Sequence, residues 1–200
     1  MSEAIEFWFD FSSPYSYLAS EGIDALAQRY GRKVKWRPML LGVAFGKTGQ
    51  QPLLTIPLKG EYSRRDIERC ARYYGVPFAM PEKFPLATQG AARAYYWLHE
   101  RDCALARAFA HAVFRAYWVE GRDISQTEVV LGIAAALGVG RQELEAALAS
   151  PALRQRLREH TDGIIARGMF GAPWFVVDGE PFWGADRLPQ IEKWLATGGF

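Results

Sequence analysis

The sequence predicts an α/β fold in which a β-α-β start and a β-β-α finish are separated by a large all-helical insertion. Three observations carry this. The chain opens on two short apolar-aromatic runs flanking a helical period. Its middle keeps helical periodicity for about a hundred residues, on the count that amphipathic faces recur every three to four positions. It closes on two apolar runs around Asp178-Gly179, followed by one more helical stretch. The scaffold is expected at 1–62 and 166–200, and the insertion at 63–165.

Each element has a local reason. "IEFWFD" is short, aromatic and apolar, as a buried strand is. From Pro14, Leu18, Ile23, Leu26 and Tyr30 keep near one face, so one helix is expected, stopped by a left-handed Gly31. "KVKWRPML" reads as the second strand; a β-α-β unit of this size makes the two strands parallel with a right-handed crossover. "LGVAFGKTGQQPLLTIPLKGEY" mixes Gly, Pro and polar residues without a period and reads as a long loop, a kind of segment that is often functional. Six helical segments follow from about Ser63, one of them opened by a capping box of Ser125 and Glu128. "WFVVDGEPFWG" is a hairpin, because Asp-Gly suits the positive φ angles of a tight turn, and the last helix begins near Asp186. This order is that of a thioredoxin-like scaffold carrying a helical insertion.

Composition narrows the function. Half of the 200 residues are hydrophobic and 14% aromatic, enough for one substantial core or two small lobes sharing one. Twenty-four basic residues stand against 22 acidic ones, a net of +2, which argues against a nucleic-acid binder but leaves a small anionic ligand open. "MSEAIEFWFD" lacks the basic and apolar regions of a secretory leader, and no apolar run approaches the roughly 20 residues of a membrane span. A cytoplasmic protein without membrane or nucleic-acid partners is therefore expected. Cys70 and Cys103 lie far apart in helical patterns and read as buried thiols of a reducing compartment, with a disulfide left open. His99, His111 and His160 show no metal-ligand spacing, and no phosphate loop or nucleophilic elbow is present.

The chemistry points to the strand-helix joint "FDFSSPYSYLAS". A helix starting at Pro14 leaves its first amides unpaired and puts Ser13 at or next to the N-cap. Serine is an ordinary cap, and that reading suffices by itself. A serine cannot exchange disulfides, but its hydroxyl can donate to an anion already favoured at a helix start. A thiolate brought by another molecule is such an anion, since nearby donors lower thiol pKa values. Glutathione is the expected source.

"FWFDFSSPYSYLAS", "GMFGAPWFVVDGEPFWGADRL" and the helical middle resemble 2-hydroxychromene-2-carboxylate isomerases, relatives of kappa-class glutathione transferases in the DsbA-like branch of the thioredoxin superfamily. The resemblance spans nearly the whole chain in the right order. It implies that Ser13 stabilises a glutathione thiolate, with Ser12 at a position the family varies and Ser16 packing within the first turn. It makes Pro173 a cis proline facing the helix start, with the Ala172 backbone open to the cysteinyl part of glutathione; an ordinary trans proline is the alternative. The Ala185 amide and Asp186 carboxylate become contacts for the γ-glutamyl end, while Asp186 also suits a helix N-cap. "GKTGQQPLLTIPLKGEY" resembles the family's G-N-x-P-P…P-x-K-G-x-Y. Lys59 then meets an anionic group, and Gln50 stands where the pattern has asparagine. Trp118 and Trp174, with Trp183, are expected to line a flat apolar cleft for an aromatic substrate, against a core role.

The resemblance thus implies a homodimeric, glutathione-dependent isomerase of 2-hydroxychromene-2-carboxylate or a similar small aromatic carboxylate, serving aromatic compound catabolism, with no metal. Ser13 acts as donor and glutathione is regenerated. A kappa-like transferase or peroxidase that consumes glutathione, and a non-catalytic thioredoxin-like binding protein, are the alternatives.

Overall fold

A computed structural model describes residues 4–200. Residues 1–3, on which part of the leader reading falls, lie outside the described residues. Among the described residues the sheet has four strands in the order β2-β1-β3-β4: β1 Ile5–Phe9, β2 Val34–Pro38, β3 Trp174–Val177 and β4 Glu180–Trp183. β1 runs parallel to β2 (Phe7 opposite Trp36) and antiparallel to β3 (Phe7 opposite Phe175). β3 and β4 form the expected hairpin, with Asp178 at φ 54° and Gly179 at φ 88°.

Strand alternation sorts the aromatics between the two faces of the sheet. Phe7, Phe9, Trp36 and Phe175 enter the main core; Phe7 meets Trp36 edge-on at 5.0 Å and stacks on Phe175 at 5.3 Å. Trp8 and Trp174 face the other way, into a smaller cluster with Met39, Ala44, Ile164 and Met169. The main core runs without a break from the strands into the helical block, reaching Phe109, Phe114 and Leu131.

The helices are α1 Pro14–Ser20, α2 Ile23–Arg29, α3 Leu41–Thr48, α4 Lys59–Tyr74, α5 Gln89–His99, α6 Cys103–Trp118, α7 Thr127–Ala136, α8 Arg141–Ala149, α9 Pro151–Ala166 and α10 Leu188–Thr197. No helix among the described residues is long and apolar enough to cross a membrane.

Three local expectations are corrected. The helix after Pro14 is two helices, broken at Glu21-Gly22, where Gly22 N turns back to Ala19 O and packs close to Leu188. The loop over 41–62 contains α3, a 3₁₀ turn at Leu53–Thr55 and the first turn of α4. Leu41, Ala44 and Phe45 do keep helical spacing there, but eight residues holding two glycines are too few to show it. The Ser125–Glu128 box does not form: α7 begins after Gln126 with no side-chain cap, and the Ser125 hydroxyl donates to Asp123.

Candidate functional site

The strand-to-helix joint is a tight turn. Asp10 O accepts from Ser13 N at 2.9 Å, and the Asp10 carboxylate accepts from Ser12 N at 2.8 Å. Ser13 is extended (φ −97°, ψ 114°) and caps α1, its Oγ accepting from Ser16 N at 3.2 Å. The same hydroxyl donates to Ala172 O at 3.1 Å, across 159 residues of chain. The Ala172–Pro173 bond is cis, and Pro173 O accepts from Gly184 N at 3.0 Å. Ser13, Ala172 and Pro173 therefore converge, although the Ala172 carbonyl is engaged by Ser13 rather than open. Because α1 has only seven residues, the local donors matter more here than a macrodipole.

The joint lies at the bottom of a cavity of about 1250 Å³. One wall comes from Leu40, Leu41, Gly42, Val43 and Phe45, with Gln50, Leu54 and Lys59 beyond it; α4 adds Asp66, Cys70 and Tyr74. Phe84, Pro85 and Thr88 form a third side, and Gly184–Arg187 close the fourth. Gln50 and Lys59 both line the cavity from exposed positions. Lys59 opens α4, which lies so close to the 3₁₀ turn that a Cβ on Gly60 would stand 2.5 Å from Leu54 O.

Asp186 and Ala185 also reach the cavity, on a 3₁₀ turn Ala185–Arg187. The capping role considered for Asp186 is not observed. Gly184 and Arg187 occupy the cap positions, and the Asp186 carboxylate is exposed and pairs with Arg187 at 3.3 Å. That carboxylate folds back over Gly184, whose φ of 111° and missing Cβ make the approach possible. Ala185 O accepts from Tyr74 Oη at 3.4 Å.

The tryptophans divide differently from the expectation. Trp118 is 0% exposed: its indole donates to Phe11 O at 2.9 Å and its ring stacks on Phe78, because α6 lies under the joint. Trp174 is 6% exposed and sits edge-on to Phe170, on the sheet face turned away from the joint. Both are core residues, and neither lines the cavity. Trp183, at 48% exposed, does.

The cysteines are also corrected: Cys103 is exposed beside His99, Cys70 is half-buried in the cavity wall, and both are free. Burial and the neighbouring Asp66 carboxylate push the Cys70 thiol up, which makes it a poor nucleophile. The same carboxylate accepts from Tyr15 Oη at 2.8 Å; burial first, and then this carboxylate, hold that phenol well above its ordinary range. His160 stacks on Tyr96 at 4.6 Å, His111 pairs with Glu21, and no cluster among the described residues could hold a metal ion.

Reading residues alone missed Asp10, Asp66, Thr88 and Arg187, together with a second cis bond at Phe84–Pro85. Asp10 did carry a signal, a charge ending an apolar strand just before Ser-Ser-Pro. Thr88 and Asp66 meet Asp10 and Tyr15 across 78 and 51 residues of chain, which no local pattern records.

Known proteins share this architecture. The DSBA-like thioredoxin domain matches residues 4–196. The chain is similar to a 2-hydroxychromene-2-carboxylate isomerase of Sphingobium xenophagum, 33% identical over 98% of this chain and 99% of that one. It is also similar to a kappa 2 glutathione S-transferase of Caenorhabditis elegans, 30% identical over 97% of this chain and 92% of that one. Among solved structures, a 2-hydroxychromene-2-carboxylate isomerase superposes with a TM-score of 0.87 at 30% identity, covering 96% and 94% of the two chains.

Proposed function

The chain belongs to the DSBA-like thioredoxin domain family and, within it, to the 2-hydroxychromene-2-carboxylate isomerases, and from that premise we propose a glutathione-dependent cis-trans isomerase of 2-hydroxychromene-2-carboxylate or a similar aromatic pyruvate-type acid. The observation that carries the reading is the Ser13 hydroxyl, held against Ala172 O ahead of cis-Pro173 at the bottom of a cavity of about 1250 Å³. Pockets for one drug-sized ligand run to about 300–1,000 Å³, so this one has room for a tripeptide beside an aromatic acid.

The residues present fit glutathione. A peptide N–H arriving at Ala172 O would take over the acceptor that Ser13 now uses. The single Ser13 hydrogen is then released toward a sulfur anion, and no buried acceptor is left unpaired. The Tyr15 amide, in the first turn of α1, has no partner within the helix and supplies a second donor at the same point. The Asp186 carboxylate suits the ammonium of a γ-glutamyl group, and Lys59 and Arg187 suit carboxylates. The Gln50 amide can hydrogen-bond either ligand, and Leu41, Phe45, Leu54 and Phe84 offer apolar surface for a ring.

When bound, glutathione supplies a thiol whose anion adds reversibly to the conjugated double bond of the opened substrate, allowing that bond to turn. The protein lowers the thiol pKa through the Ser13 and Tyr15 donors, aligns two ligands and excludes water between them. Ser13 is not a covalent nucleophile: among the described residues its hydroxyl bonds only Ser16 N and Ala172 O, and neither is a base that could take its proton.

The kappa-class relative supports a second reading, a transferase that consumes glutathione at the same site. Turnover separates the two. Incubation with the chromene and glutathione should isomerise the substrate with free thiol constant, and omitting glutathione should stop the reaction. Stoichiometric thiol loss selects the transferase, and a calorimetric titration without glutathione heat removes both.

A further inference from the structure

Asp10 directly follows β1 and lines the cavity, 5% exposed, and nothing in the chemistry above uses it. Its carboxylate gathers donors from three separate segments: Ser12 N at 2.8 Å, Leu41 N at 2.7 Å and Thr88 Oγ1 at 2.9 Å. Its main-chain carbonyl accepts from Ser13 N. Leu41 starts α3, which forms the rim wall, and Thr88 precedes α5, which closes the side beyond Phe84. One side chain therefore joins the turn that presents Ser13 to two walls that face it.

Resting on the role proposed for Ser13, we propose that Asp10 is the positioning residue of this site, the buried anion that keeps the Ser13 hydroxyl and the two opposing walls in one geometry. A buried carboxylate is a costly brace, and packed apolar residues hold segments together at least as well. What an apolar residue cannot do is accept from three donors at once and so dictate the direction of the backbone at Ser12 and Ser13. Burial pushes this carboxyl up, while the bonds from Ser12, Leu41 and Thr88 act the other way and favour the charged form. The charge is also directed at donors on three sides, which limits its repulsion of an anion placed at Ser13.

A double-mutant cycle tests this, because a residue acting through Ser13 loses its effect once Ser13 is gone. Asp10→Asn keeps the size but offers one acceptor in place of two. It should lower kcat about tenfold or more, with KM for the aromatic acid and for glutathione within about threefold. In a Ser13→Ala background the same change should lower kcat less than about twofold. The absorbance titration of bound glutathione should move to higher pH in Asp10→Asn and stay unchanged between Ser13→Ala and the double variant. Equal loss in both backgrounds, or normal kcat in Asp10→Asn, overturns the proposal. If Asp10→Asn does not fold, Thr88→Val decides: a loss of about threefold confined to the Ser13 background and restored by Thr88→Ser supports it, and any other pattern overturns it. A wild-type protein that neither binds glutathione nor turns over sinks the isomerase reading and this role together; an active wild type with an additive cycle sinks only the role.

Discussion

The bottom of the cavity and its rim are built on opposite principles. At the bottom, Asp10, Ser13 and Ala185 are buried, and Trp118 packs from beneath through its bond to Phe11 O. At the rim, α3 buries only Ala44 and the 3₁₀ turn Leu53–Thr55 buries nothing. The rim is tied down by a few bonds: Leu41 N to Asp10, Leu40 N to Thr161 Oγ1 at 3.2 Å, and Lys47 to Asp162 at 2.9 Å. The contrast suits the two tasks proposed above. Holding a sulfur anion needs donors that do not reorganise during the reaction, while fitting an aromatic acid tolerates a wall with few buried contacts.

Substitutions can break or sharpen this contrast. The largest effect is expected at the bottom. Ser13→Ala should lower kcat about 10²–10³-fold, as loss of one preorganised donor does, and raise the pKa of bound glutathione with little change in KM for the acid. Thiolate absorbance and initial rates read both, and an unchanged titration removes the donor role. Beneath the joint, Trp118→Phe should leave the buried Phe11 carbonyl unpaired and cost about 2 kcal/mol, seen in denaturant unfolding. If it instead altered substrate KM alone, Trp118 would be a cleft residue after all.

At the rim, Lys59→Met should raise KM for the acid about fivefold at low salt, with kcat intact and the difference shrinking as salt rises. A kcat effect would show that rim and bottom work as one unit. The smallest effect is expected at the anchor of the rim. Burial, Arg37 and Arg156 hold His160, next to Thr161 on α9, below its ordinary value of 6.5. The unfolded chain therefore binds its proton more readily than the folded one. His160 contributes stability that is complete above that ordinary value and lost as pH falls through the folded one. Between pH 7 and about 5, the melting temperature of the wild type should fall further than that of His160→Gln, by on the order of one degree. Parallel curves would remove His160 from the anchor.

The same contrast explains what could be read without coordinates. Ser13, Pro14 and the Asp178-Gly179 turn were legible because their conformations follow from adjacent residues. So was the resemblance that singled out Ala172, Pro173 and Asp186. The short helix α3 was not legible, since its start is fixed by Asp10 and Thr161, 31 and 121 residues away from their partners Leu41 and Leu40. Trp118 and Trp174 looked the same as Trp183 in one dimension. Only packing put the first under the joint, the second on the far face of the sheet and the third at the cavity.

By itself the sequence determined the strands, the hairpin, the order β-α-β, helices, β-β-α, and a hydroxyl where the first helix starts. Backbone preference and alternation act over a few residues, so they survive in a string of letters. The tertiary structure alone decided which aromatics are buried, that the Ser13 hydroxyl meets Ala172 O, and that three donors converge on Asp10. Those outcomes depend on segments far apart in the chain arriving at one place, and a local preference carries no information about that.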